Sequence, residues 1–104
     1  MLFLGETAKF KNKPVQELTI NHVSLLLIEN NNRFYLIENK CGHFGLPLST
    51  GEIKGDEIIC SHHGISFSLL TGEVMNRPYE NCDMIRVFKI VEQEMGLYVD
   101  EPIN

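Results

Sequence analysis

Two short segments carry the residue types that do chemistry: Cys41-Gly42-His43 and, further on, Cys60-Ser61-His62-His63-Gly64. Each supplies one soft thiolate and one imidazole, and sixteen residues separate His43 from Cys60. Two ligand pairs on separate loops suit a metal centre, because each loop clamps one side of the bound group. A zinc ion accepts two thiolates and two imidazoles tetrahedrally, and its sequence patterns usually pair Cys with Cys and His with His. Here each segment mixes the two, which is unusual for a zinc finger and leaves a structural zinc module as the lesser reading.

The elements that position these segments read as β almost throughout. Val15 to Ile20 is a strand after Pro14, with Val15, Glu17 and Thr19 on one face and Leu18 and Ile20 on the other. His22 to Glu29 contains Val23, Leu25, Leu26, Leu27 and Ile28, a continuous apolar run of strand length. Asparagine tolerates left-handed backbone, so Glu29-Asn30-Asn31-Asn32 is a turn and residues 22–38 form a hairpin with Phe34-Tyr35-Leu36-Ile37. Residues 40–56 are rich in glycine, which lets backbone amides approach a bound group. Glu57-Ile58-Ile59 delivers Cys60, and Ile65 to Leu69 is a strand closed by Leu70-Thr71-Gly72. Arg77-Pro78 interrupts any strand there. Arg86 to Val91 and Leu97 to Val99 flank the turn Gln93-Glu94-Met95-Gly96. There is no amphipathic helix of three turns, no repeat and no linker.

A chain of 104 residues implies one domain over 1–104. A net charge of −5 argues against nucleic acid as a partner, and Lys9, Lys11 and Lys13 read as a solvated edge. Cys41, Cys60 and Cys82 are an odd set that does not describe a disulfide framework. Leu2-Phe3-Leu4 is too short for a signal-peptide core, and no run approaches the roughly 18 apolar residues of a membrane span. A soluble cytoplasmic protein is expected.

The pattern Cys-x-His, a gap of this length, then Cys-x-x-His resembles the Rieske family, which holds a [2Fe–2S] cluster by two Cys and two His. Gly64, Phe67 and Thr71-Gly72-Glu73 also stand where that family has them, so the resemblance covers roughly residues 34–100. It implies an all-β fold: an antiparallel β-sandwich base with a small cluster-binding subdomain of two loops, at about 40–48 and 60–68. It implies one [2Fe–2S] cluster per chain, held by Cys41, His43, Cys60 and His63. His63 is the expected ligand rather than His62, because Cys60-x-x-His63 is the family spacing and Gly64 follows. The family's third, proline-bearing segment matches Asn76-Arg77-Pro78. His22 and Cys82 are expected to play no part.

Charge counting states what the two histidines do. Two ferric ions and two sulfides carry +2, which two thiolates cancel, so the oxidised site is neutral and the reduced site is −1. An all-thiolate site would run from −2 to −3, so exchanging two thiolates for imidazoles raises the potential. The extra electron belongs on the histidine-ligated iron, which makes the ring edges of His43 and His63 the expected exit. High-potential members carry a disulfide between the loops and Ser and Tyr hydroxyls that donate to cluster sulfur. The matching positions here are Leu46 and His62, and Ile65 and Phe67. With no disulfide and no hydroxyl donor, the expectation is the low end of the family range of about −150 to +300 mV.

The resemblance therefore implies a Rieske-type ferredoxin: a low-potential one-electron carrier, monomeric, and not itself an enzyme. Its partners would be a flavin- or NAD(P)H-linked ferredoxin reductase and a terminal oxygenase, docking around His43 and His63. Gly42, Phe44, Gly45, Leu46, Pro47 and Gly64 would form the apolar part of that face. The alternative from another class is a fixed small subunit of an enzyme resembling nitrite reductase.

Overall fold

The apolar run after His22 lacks polar alternation because the strand it forms is covered on both sides. The structure is a computed structural model that describes residues 1–41, 46–61, 64–76 and 83–103. In chain order its elements are β1 (Leu2–Glu6), α1 (Thr7–Phe10), β2 (Val15–Ile20), β3 (Val23–Asn30), β4 (Arg33–Glu38), β5 (Glu52–Lys54), β6 (Glu57–Ile59), β7 (Ser66–Ser68), β8 (Val87–Phe88), β9 (Ile90–Gln93) and β10 (Gly96–Val99). They build three antiparallel sheets: a central one of order β2-β3-β4-β8, a terminal one of order β1-β10-β9 and a small one of order β5-β6-β7.

Neighbouring residues on a strand point to opposite faces, so β3 and β4 contribute to two cores at once. Leu25, Leu27 and Leu36 meet Phe10, Phe88, Leu97 and Val99, which fills the space against the terminal sheet. Leu26, Ile28, Tyr35 and Ile37 meet Ile58 and Phe67 of the small sheet, together with Leu48, Ile65, Cys41 and Cys60. The all-β, stacked-sheet architecture expected from the sequence is the one observed.

Two-residue turns with both residues left-handed set the hairpin registers. Asn31 and Asn32 (φ 52° and 63°) join β3 to β4, with Asn30 opposite Arg33. Asn21 and His22 (φ 51° and 66°) join β2 to β3, and Glu94 and Met95 (φ 51° and 64°) join β9 to β10. This turn form matches the twist of antiparallel strands. His22 is thus an exposed turn residue.

The structure corrects three details. The segment Arg86 to Val91 is not one strand: β8 pairs with β4 in the central sheet, and after Lys89 the chain passes to β9 in the terminal sheet. The N-terminal apolar run is β1, paired with β10 across most of the chain and irregular between Phe3 and Gly5. The glycine-rich stretch contains β5, paired with β6. Among the described residues the only helix is the four-residue α1, and none is long and apolar enough to cross a membrane. The interruption expected at Arg77-Pro78 lies outside the described residues.

Candidate metal centre

Cys41 comes three residues after the end of β4, and Cys60 directly follows β6. These two strands belong to the two sheets that enclose one core, so their ends deliver both thiols into it. Cys41 is 0% and Cys60 1% exposed. The two loops then close in the same way. Cys41 N–H donates to Leu46 O (2.6 Å), and Cys60 N–H donates to Ile65 O (2.8 Å). In the second loop Gly64 N–H also donates back to Cys60 O (2.8 Å), and Gly64 has φ 68°, where a residue without Cβ is least strained. Thr50 Oγ1 and Ser61 Oγ share a hydrogen bond of 2.6 Å that ties the far side of one loop to the other.

His43 falls by sequence between Cys41 and Leu46, and His63 between Cys60 and Ile65, so each lies within one closure. Both histidines lie outside the described residues, as do His62, Cys82, Gly42, Phe44 and Gly45. Among the described residues, then, the structure brings together the cysteine half of the expected ligand set.

The chemistry of that half fits the expected group. The two thiols share a core with Leu26, Ile28, Ile37, Leu48, Ile58 and Phe67. A thiolate there has lost its water and its charge must be compensated. Two thiolates against the +2 charge of two ferric ions and two sulfides make a neutral assembly, which an apolar core tolerates.

Two residues on which the low-potential expectation rests are among those described. Ile65 and Phe67 are both 0% exposed and pack in the same core. The nearby Ser66 hydroxyl donates to Glu57 Oε1, so its proton is committed elsewhere. Leu46, Pro47 and Gly64 are exposed, as the expected apolar docking face requires. Lys9, Lys11 and Lys13 are exposed too, as a solvated edge should be.

Two residues of this region were not singled out by sequence. Asn39 Oδ1 accepts from Leu48 N–H (2.8 Å), while its Nδ2 donates to Ser24 Oγ (3.1 Å) in β3. Asn76 Oδ1 accepts from Ser66 N–H (3.0 Å), and its Nδ2 donates to Gly64 O (2.8 Å). Asn76 drew notice only as the first residue of the stretch matching the family's proline-bearing segment, with no role of its own. Nothing in the spacing marks either one. The usable signal is residue type: an amide side chain both gives and accepts, so it can replace a missing backbone partner beside an irregular loop.

The family model of the Rieske [2Fe-2S] domain matches residues 1–94. Human apoptosis-inducing factor 3 is 27% identical over 89 residues, which is 86% of this chain and 14% of that protein. The ferredoxin CarAc of Metapseudomonas resinovorans is 35% identical over 69 residues, 65% of this chain and 62% of that one. The chain thus spans a small part of the first relative and under two thirds of the other. Among solved structures, a chain from a complex of reduced oxygenase and oxidised ferredoxin in carbazole 1,9a-dioxygenase superposes with a TM-score of 0.78 at 25% identity, over 94% of this chain and 99% of that one. With both loop cysteines delivered into one apolar core and the family match running over nearly the whole length, the chain belongs to the Rieske [2Fe-2S] domain family.

Proposed function

We propose that this protein is a one-electron carrier, a Rieske-type ferredoxin that takes electrons from a flavin- or nicotinamide-linked reductase and hands them to a terminal oxygenase. The observation that carries the reading is the superposition, over 94% of this chain and 99% of the other, on a chain from an oxygenase–ferredoxin complex. The [2Fe–2S] group, when bound, supplies reversible one-electron chemistry.

The chain's own residues do the rest. Cys41 and Cys60 would hold the group through two thiolates that cancel its charge, and His43 and His63 would supply the two imidazoles. Ile65, Phe67 and Leu48 keep water from the thiolate side. Leu46, Pro47 and Gly64 give a transient partner an exposed contact beside the histidine-bearing loops. With Ile65 and Phe67 apolar and the Ser66 proton given to Glu57, the electron-rich reduced state gains no hydroxyl donor from these positions. The reading is of a low-potential carrier acting as a single unit over residues 1–104, monomeric, cytoplasmic and without catalysis of its own. A potentiometric titration followed by electron paramagnetic resonance tests it. A one-electron wave with a midpoint below zero at neutral pH is expected, and a midpoint above zero contradicts the low-potential argument.

One observation favours a second reading. The chain corresponds to 14% of apoptosis-inducing factor 3, so a domain of this kind also occurs built into a larger protein. A fixed module of a larger assembly would co-purify with its partner from native extract, whereas a shuttle would elute alone as a monomer.

A further inference from the structure

We propose that Asn39 and Asn76 are a matched pair of positioning residues, each locking the far end of one ligand loop through its side-chain amide. The inference deepens the reading of the centre as an iron–sulfur site and rests on it.

A residue in regular β structure has its backbone groups paired by a neighbouring strand, whereas an irregular loop must find other partners. The backbone tie from Cys41 to Leu46, and the one from Cys60 to Ile65, hold the near side of each loop. At each tie a side chain supplies a further anchor, just past it in the first loop and on both sides of Ile65 in the second. Leu48 N–H finds Asn39 Oδ1, two residues past the Leu46 carbonyl. Gly64 O and Ser66 N–H find the two ends of the Asn76 amide, one on either side of Ile65.

The two clamps are grounded differently. Asn39 is seated on the central sheet: its own N–H donates to Ser24 O (2.9 Å), and its Nδ2 donates to Ser24 Oγ. Its grip on the loop is the single acceptor, Oδ1. Asn76 spends both ends of its amide on the loop. Its backbone is held in turn by the neighbouring Met75, whose N–H donates to Ser66 O (2.8 Å). Asn76 therefore ties its own position to Gly64 and Ser66, on both sides of Ile65, and its loss should be felt more strongly.

The difference makes the proposal testable with conservative variants. Asn39→Asp keeps the acceptor for Leu48 N–H, and Ser24 Oγ can reverse its donation. Asn39→Ala loses both contacts. Asn76→Asp keeps the acceptor for Ser66 N–H but sets a carboxylate oxygen against Gly64 O.

The experiment uses the cluster-loaded chain and follows three readouts. These are the half-life of visible absorbance under an iron chelator, the resonance line shape of the reduced protein, and hydrogen exchange of peptides containing Leu48 or Ser66. Leu97→Ala serves as the control, because it lowers stability from the other core. Asn76→Ala is expected to lose its cluster about tenfold faster than wild type and Asn39→Ala about fivefold faster, as forfeited hydrogen bonds of ordinary strength imply. Asn39→Asp should stay within about twofold of wild type, since the clamping acceptor survives. Exchange should rise at Ser66 for Asn76→Ala and at Leu48 for Asn39→Ala, each without the other. If Asn76→Ala does not accumulate, Asn76→Asp carries the same test, with faster loss and an altered line shape expected. Asn variants indistinguishable from Leu97→Ala at matched thermal stability would overturn the proposal alone. A wild-type chain that holds no iron would overturn the reading of the centre, and the proposal with it.

Discussion

On one face of β3, Leu25 and Leu27 pack with Phe10, Leu97 and Val99; on the other, Leu26 and Ile28 pack in the core that contains Cys41 and Cys60. The first core is roofed by regular strand pairing, β10 held between β1 and β9. The second is roofed by a three-stranded sheet of three-residue strands and by two loops. The loops are fastened by a few backbone ties, one from Cys41 and a pair at Cys60, and by the amides of Asn39 and Asn76. Hydrogen bonds of the sheet come as a cooperative ladder, whereas those of the loops stand alone. The comparison teaches a division of labour. On this division, weakening the terminal-sheet core should leave the centre intact, while a change in the small-sheet core should reach the thiols.

The largest expected effect is on the ligands. Replacing Cys41 or Cys60 by Ser should abolish the visible spectrum, and so should replacing His43 or His63 by Ala. His62→Ala and Cys82→Ala should keep it. Loss of the cluster in His62→Ala with retention in His63→Ala would reverse the ligand assignment.

Next comes Gly72, which closes the turn after β7. It has φ 82°, and a Cβ there would meet Ile85 O at 2.0 Å. Because Ile85 belongs to the cysteine-containing core, Gly72→Ala should cost at least about 3 kcal/mol and also speed cluster loss. Denaturant melts of the loaded and chelated protein would measure both.

Leu97→Ala sharpens the contrast from the other side. It should cost about 2–5 kcal/mol in the same melts, as buried Leu truncations do. Its resonance spectrum should remain that of wild type. A changed spectrum would mean that the two faces of the central sheet are not separable.

Ile65→Ser acts within the second core with the smallest change in free energy at the centre. It places a hydroxyl where high-potential relatives have one. A hydrogen bond to a charged acceptor is worth about 1.5–3 kcal/mol, which for one electron raises the midpoint by roughly 60–130 mV. An unchanged midpoint with an intact cluster would show that position 65 does not face the sulfurs.

The sequence made the chemistry legible before the topology. Cys41 and Cys60 stand out in the sequence because ligand residue types are few and their spacing is stiff, and the structure places both in one core. The β3–β4 hairpin was legible because Asn31 and Asn32 tolerate the left-handed turn that β-hairpins need. β1 was not legible, since its partner β10 lies at the opposite end of the chain and Gly5 breaks its pattern. Nor was the break at Lys89, because moving from the central to the terminal sheet is a tertiary event with no local signal. Asn39 and Asn76 stayed hidden for a related reason. A side-chain clamp is defined by the loop it grips, and sequence does not show that loop's unpaired amides.

Electron–nuclear double resonance on the reduced protein, with iron and zinc counted in the same sample, tests the central claim most directly. The account predicts a [2Fe–2S] signal coupled to two histidine nitrogens, with both couplings kept in His62→Ala. A colourless protein with stoichiometric zinc, or an iron signal without nitrogen coupling, would contradict it.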